Sequence, residues 1–179
     1  NRWSDAQLKE LQGWFAGADL VAALARTYRS ERAFFMKTIE LLRTNPGERG
    51  ALDGESGGGF GLYLVPRGWF YYEQVSYVQS FDQFVLPAVH PEGRYIDVQL
   101  TERLNKELNS WLGSTWNAVR HHRVLSRILL PALTSLNRKV AYAQSSTDRA
   151  AIASALDRFR HAQGRYPERL DALVPDYLS

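Results

Sequence analysis

The chain has 179 residues, 45% hydrophobic and 23% charged, a length and composition that suit one domain with a sizeable core. It has no cysteine, which excludes disulfides and thiolate metal sites, and no run of 18 apolar residues, which excludes a spanning helix within the chain. The net charge of +3 is unevenly placed: residues 1–100 carry −2 and residues 101–179 carry +5. The chain starts at Asn1 without a signal-peptide pattern. We therefore expect a fragment of a longer protein, with room for a membrane anchor before Asn1.

Every periodic segment is helical. Ser4 and Gln7 form a capping-box pattern ahead of a helix with Leu8, Leu11, Phe15 and Ala18 on one face. Asp19 either caps a second helix or lies within a continuing one. Leu20, Leu24, Tyr28, Phe35, Ile39 and Leu42 carry the three-and-four spacing to about Arg43. Glu31 falls on that stripe, so it is expected to be buried in an ion pair with an arginine, with a catalytic or ligand-binding role as the alternative.

Residues 45–61 read as a loop, with Pro46-Gly47 and Gly57-Gly58-Gly59. Neither GxxxxGK[ST] nor GxGxxG is present, so the glycines read as a surface loop and not a phosphate cradle. Phe60–Phe84 holds nine of the 22 aromatic residues, which makes this the stretch to weigh as a binding surface. Phe70, Tyr77, Phe81 and Phe84 share a helical face and read as core. Trp69, Tyr72, Glu73 and Tyr77 are the candidates for an amphipathic groove over 69–84.

A turn follows at His90-Pro91-Glu92-Gly93, then a helix from Thr101 with Leu100, Leu104, Leu108 and Trp111 aligned and a break at Gly113-Ser114. From Ala118 to Gln163 the chain reads as one long helix. Its apolar line runs through Leu129, Leu133, Leu136, Val140 and Ala143, then Ile152, Leu156 and Phe159, and Pro131 is expected to kink it. Arg120, His121, His122 and Arg123 form a basic cluster at its start and are candidate binding residues. Adjacent histidines on a helix point about 100° apart and make a poor metal pair, so no metal is expected. The cluster lacks aromatic interleaving, and no nucleic-acid partner is expected. Gly164 suits a left-handed cap, and Pro167 opens a short closing helix, Glu168–Val174, that should bury Leu170, Leu173 and Tyr177.

The run from Ala155 to Pro167 with its Gly164-Arg165-Tyr166-Pro167 stop, followed by Leu170-Asp171-Ala172-Leu173-Val174-Pro175, resembles the major pseudopilin of type II secretion over about 30 residues. Glu31-Arg32-Ala33, Pro66-Arg67-Gly68-Trp69-Phe70 and Leu129-Leu130-Pro131-Ala132-Leu133 extend the likeness to a family of uncharacterised, often membrane-anchored bacterial proteins. That resemblance implies the periplasmic side of the bacterial envelope and no particular reaction.

The expected architecture is all-α, one irregular helical bundle over 1–179 around a long, Pro131-kinked helix with a short closing C-terminal helix. The leading function is a non-enzymatic interaction or scaffold domain with a protein partner and no cofactor. The alternatives are a small-molecule or peptide binder using the aromatic groove 69–84, and a hydrolase drawing acid and base from Glu31, Glu73, Asp82 or the His121–His122 pair.

Overall fold

The computed structural model describes residues 3–49 and 65–178; the glycine run 57–59 and most of the expected loop 45–61 lie outside them. The order is α1 (Asp5–Gly17), α2 (Leu20–Thr44), α3 (Arg67–Ser80), a hairpin of β1 (Val89–His90) and β2 (Tyr95–Ile96), α4 (Val98–Leu112), α5 (Thr115–Arg120) and α6 (Val124–Gln163). The architecture is all-α, a helical bundle with one long C-terminal helix. Residues 46–49 of the expected loop form one helical turn instead, whose Arg49 guanidinium donates to the carbonyls of Leu42, Arg43 and Val65.

Caps set the early boundaries. Ser4 Oγ accepts from Gln7 N while Gln7 Oε1 accepts from Ser4 N, closing the capping box on α1. Asp19 Oδ1 accepts from Ala22 N at 2.8 Å, so α1 and α2 are separate helices. Asp97 caps α4 in the same way through Leu100 N, three residues earlier than the leucine spacing suggests.

The core lies among α2, α3, α4 and α6. Tyr28, Phe35, Ile39 and Leu42 of α2 meet Phe70 and Tyr77 of α3, then Phe81, Phe84 and Val85 of the π-helical turn (Phe81–Val85) that continues α3. Tyr28 packs edge-on against Phe81, and Phe35 lies tilted against Tyr77 with ring centres 3.7 Å apart. Burial pushes the Tyr77 hydroxyl up to about 12 and Tyr28 higher still. A 3-10 turn (Leu86–Ala88) then leads into the hairpin, whose Val89 pairs with Ile96 and His90 with Tyr95.

Glu31 departs from expectation. It is exposed, and the residue turned toward the next element is its neighbour Arg32, which pairs with Asp82 at 2.7 Å. Tyr28 and Phe35 sit seven residues apart, two full turns, and the intervening turn presents its edge rather than its centre to the core.

The long helix differs in two ways. It begins at Val124 and not Ala118, because α5 ends in a turn at 121–123. Arg123 N bonds Ala118 O at 2.8 Å and His122 N bonds Val119 O at 3.3 Å, the paired closure of a Schellman motif. The most buried line of α6 is also shifted by one residue. Leu129 is more than a third exposed, whereas Leu130, Thr134, Asn137 and Gln144 are buried; Leu133, Leu136 and Val140 pack on the core from the flank. Pro131 lies inside the continuous helix, where its missing N–H leaves the Arg127 carbonyl without the usual i+4 donor.

Polar side chains fit that line because each meets a backbone group that needs it. Asn137 accepts from Tyr28 Oη at 2.6 Å and donates to Val85 O at 3.1 Å. Gln144 accepts from Leu20 N and donates to Ala18 O, holding both sides of the α1–α2 junction. Further along, α1 lies on Ala151 and Ala155, whose small side chains permit close approach.

Gly164 ends α6 at φ 74°, with its N–H on Arg160 O, in the left-handed conformation expected. The closing segment is a 3-10 turn, Leu170–Leu173, not a full helix. Leu173 is fully buried, Tyr177 packs on Phe159 with ring centres 5.5 Å apart, and Leu170 points out at 55% exposure. Leu173→Ala is therefore expected to lower stability by about 2–5 kcal/mol. Leu170→Ala and Glu31→Ala are expected to stay within about 0.5 kcal/mol of wild type. Chemical denaturation of the three variants checks the contrast.

Candidate functional site

The first turn of α6 has four N–H groups and no cap of its own, since the Arg123 side chain makes no capping bond. The acceptor comes from another helix. Glu73, in the middle of α3 and fully buried, turns Oε1 onto Val124 N and onto Leu125 N at 3.2 Å. The positive end of the helix dipole suits a carboxylate there. Burial acts against the charge and outweighs the N–H bonds, so the Glu73 carboxyl is raised from its ordinary 4.5 to about 7.

His122 lies two residues before Val124, the residue that Glu73 caps, in the closing turn of α5. It occupies the left-handed position, φ 54°, where helices usually place glycine. A residue with a Cβ there costs roughly 1–2 kcal/mol. Its ring stacks on Tyr72 with centres 4.8 Å apart and meets Trp69 edge-on at 5.7 Å. Burial and the neighbouring His121 hold the imidazole below its usual range, which favours the neutral ring. Tyr72 is 63% exposed and Trp69 half-buried, so the three rings form a ledge open to solvent beside the buried carboxylate.

Among the described residues, the buried side-chain polar atoms without a hydrogen-bond partner are Glu73 Oε2, His122 Nδ1 and Ser126 Oγ. All three belong to this junction of α3, the 121–123 turn and the start of α6. Buried polar groups are normally hydrogen-bonded, and three unpaired atoms at one junction set it apart from the rest of the described structure.

Of the residues singled out by sequence, the structure brings Trp69, Tyr72, Glu73 and His122 together. Arg123 borders them, but its guanidinium lies 3.5 Å over the Trp111 ring and donates to Trp111 O, holding the turn against α4. Tyr77 is in the core, one turn deeper along α3. Arg120 and His121 are exposed at the rim. Ser126 was not anticipated, and no signal for it is visible in its sequence surroundings.

The carboxylates expected to serve a hydrolase do not converge. Asp82 is paired with Arg32 and lies nine residues beyond Glu73 along the same helical path, roughly 13 Å at helical rise. Glu31 is in solvent on α2. A cleft of about 350 Å³ between the hairpin and α6 is lined by Arg94, Ile96, Gln144, Asp148 and Ile152. Its polar groups serve the fold: Arg94 donates to Ala16 O and Ala18 O, and Gln144 to Asp148. No group of three or more His, Asp or Glu side chains among the described residues is placed to hold a metal ion.

The raised carboxyl has a consequence for stability. Its folded value, about 7, lies above the unfolded 4.5, so protonation favours the fold. That contribution is fully present below about 4.5 and is lost as pH rises through 7. It amounts to about 3 kcal/mol by the usual 1.36 kcal/mol per pH decade. Glu73→Gln keeps an acceptor for Val124 N and removes the ionisation. The stability difference between variant and wild type is expected to move by that amount in favour of the variant between pH 4.5 and above 7, read by thermal unfolding against pH.

No protein-family model, curated protein or solved structure matches this chain, and what the junction can do follows from its own geometry.

Proposed function

We propose that the chain is a non-enzymatic interaction domain that binds a partner protein on the ledge formed by Trp69, Tyr72 and His122. The observation that carries this is the histidine in a glycine position. Replacing glycine by His122 costs backbone energy, and what it gains is a ring stacked on Tyr72 and against Trp69 at the surface. Stacked, pre-ordered aromatic rings lose little entropy on binding and dominate interface energetics.

The surroundings favour a partner segment with apolar and acidic side chains. Arg120 and His121 are exposed next to the ledge, and the C-terminal part of the chain carries the positive balance. Phe70, Tyr77, Phe81 and Phe84 are buried in the core, so the contact surface of 69–84 is confined to its outward residues. A location on the bacterial envelope belongs to the same proposal and rests on the resemblance to often membrane-anchored bacterial proteins carried by residues 31–33, 66–70, 129–133 and 155–175.

The test starts from a protein captured from a bacterial envelope extract, then purified and titrated against wild type and Tyr72→Ala. Tyr72 is exposed, so the variant should melt within a degree or two of wild type, while binding weakens by roughly 2 kcal/mol, or about thirtyfold. Equal affinity for both chains would remove the ledge from the interface.

A further inference from the structure

Glu73 never reaches the surface, yet among the described residues its Oε1 is the only side-chain cap on α6 and its Oε2 has no partner. The backbone it holds, Val124 and Leu125, directly follows the turn that carries His122. Ser126, whose buried hydroxyl also lacks a partner, is the next residue on. A neutral acid at this point caps the helix through Oε1 without placing a charge in the interior. An ionised one must hold a full charge in the interior with only N–H donors around it. The two protonation states therefore demand different local geometry from the same turn.

We infer that the proton on Glu73 sets how firmly the 121–123 turn holds His122 against Tyr72 and Trp69, so that binding at the ledge is governed by a residue the partner never touches. This deepens the interaction function and rests on it for the partner, while the coupling itself is a property of the chain alone.

The neighbouring charged groups leave Glu73 as the group to which the turn responds. Arg123 is turned onto Trp111, and Arg127 onto Gly113 O. Arg49 is held by carbonyls and lies over Phe70, and Arg43 is paired with Glu40 and lies over Tyr71. Tyr77 keeps its proton at neutral pH because burial raises it to about 12. His122 is the titratable side chain that meets α3 from the turn, through its stack on Tyr72; His121 and Arg120 are exposed. The shift on Glu73 has burial and the backbone N–H groups of Val124, Leu125 and Ser126 as its causes, with no charged side chain among them.

Two-dimensional NMR of the whole chain, titrated without any partner, tests this. In wild type, the Val124 and Leu125 amides and the Trp69 indole N–H are expected to shift together with one midpoint near 7. In Glu73→Gln that common midpoint disappears from all three, with the rest of the spectrum retained. In His122→Phe the two amides keep it, which assigns the proton to Glu73 and not to the imidazole. A midpoint at Trp69 that survives Glu73→Gln overturns the inference. So do amides that titrate while the indole stays still. Should Glu73→Gln fold poorly, the wild-type and His122→Phe titrations decide alone: amide and indole midpoints must coincide in wild type, and the amide midpoint must persist in His122→Phe. A ledge variant that leaves partner affinity unchanged would end the interaction function without touching these titrations.

Discussion

Asn137 is the residue on which the packing turns. One buried amide accepts the Tyr28 hydroxyl from α2 and donates to the Val85 carbonyl, which belongs to the π-helical turn after α3. Three elements are thereby held in a single register by directional bonds inside an otherwise apolar core. Burying an amide is tolerable only when both its ends are satisfied, and this one is. An apolar side chain there would leave Tyr28 Oη with only the Leu133 carbonyl and Val85 O with no side-chain donor. The same logic recurs along α6 with Gln144 at the α1–α2 junction, and in reverse with Glu73, where α3 supplies what α6 lacks. The long helix is anchored by polar side chains that complete other elements' backbones.

That pattern explains which parts were legible beforehand. The helices α1 and α2 announce themselves through apolar spacing and caps, and α3 through its aromatic spacing alone, because their buried faces are made largely of Leu, Tyr, Phe and Ile. On α6 the apolar spacing points one residue off. Its deepest line contains Thr134, Asn137 and Gln144, which periodicity counts as solvent-facing although each is buried through specific partners. Glu31 fails for the mirror-image reason: the two turns between Tyr28 and Phe35 carry residues on the edge of the stripe that are not in its centre. Leu170 lies on a four-residue turn too short to present a continuous face.

The candidate site was half visible. Trp69, Tyr72, Glu73 and His122 attract notice by type, but nothing in their spacing says that residues about fifty positions apart meet. The meeting depends on α5 stopping at His121, and the stop uses a left-handed histidine where a glycine would have flagged it. The capping of α6 by Glu73 is invisible for the same reason, since caps are ordinarily sought within a few residues of the helix they close.

The arrangement along α6 also divides the molecule. Leu8, Ala151, Ala155 and Leu173 are buried together with α1 and the closing turn, but they stand outside the contiguous cluster formed by α2, α3 and α4. A helix of 40 residues thus serves two hydrophobic regions, one at each end, bridged near Gln144. The smaller region has fewer large apolar side chains and is tied down by ion pairs such as Arg158 with Asp5. Such a region is expected to open as a separate cooperative unit. Its half of the helix would then fray and reclose while the α2–α3–α4 core, and the aromatic ledge with it, stays assembled.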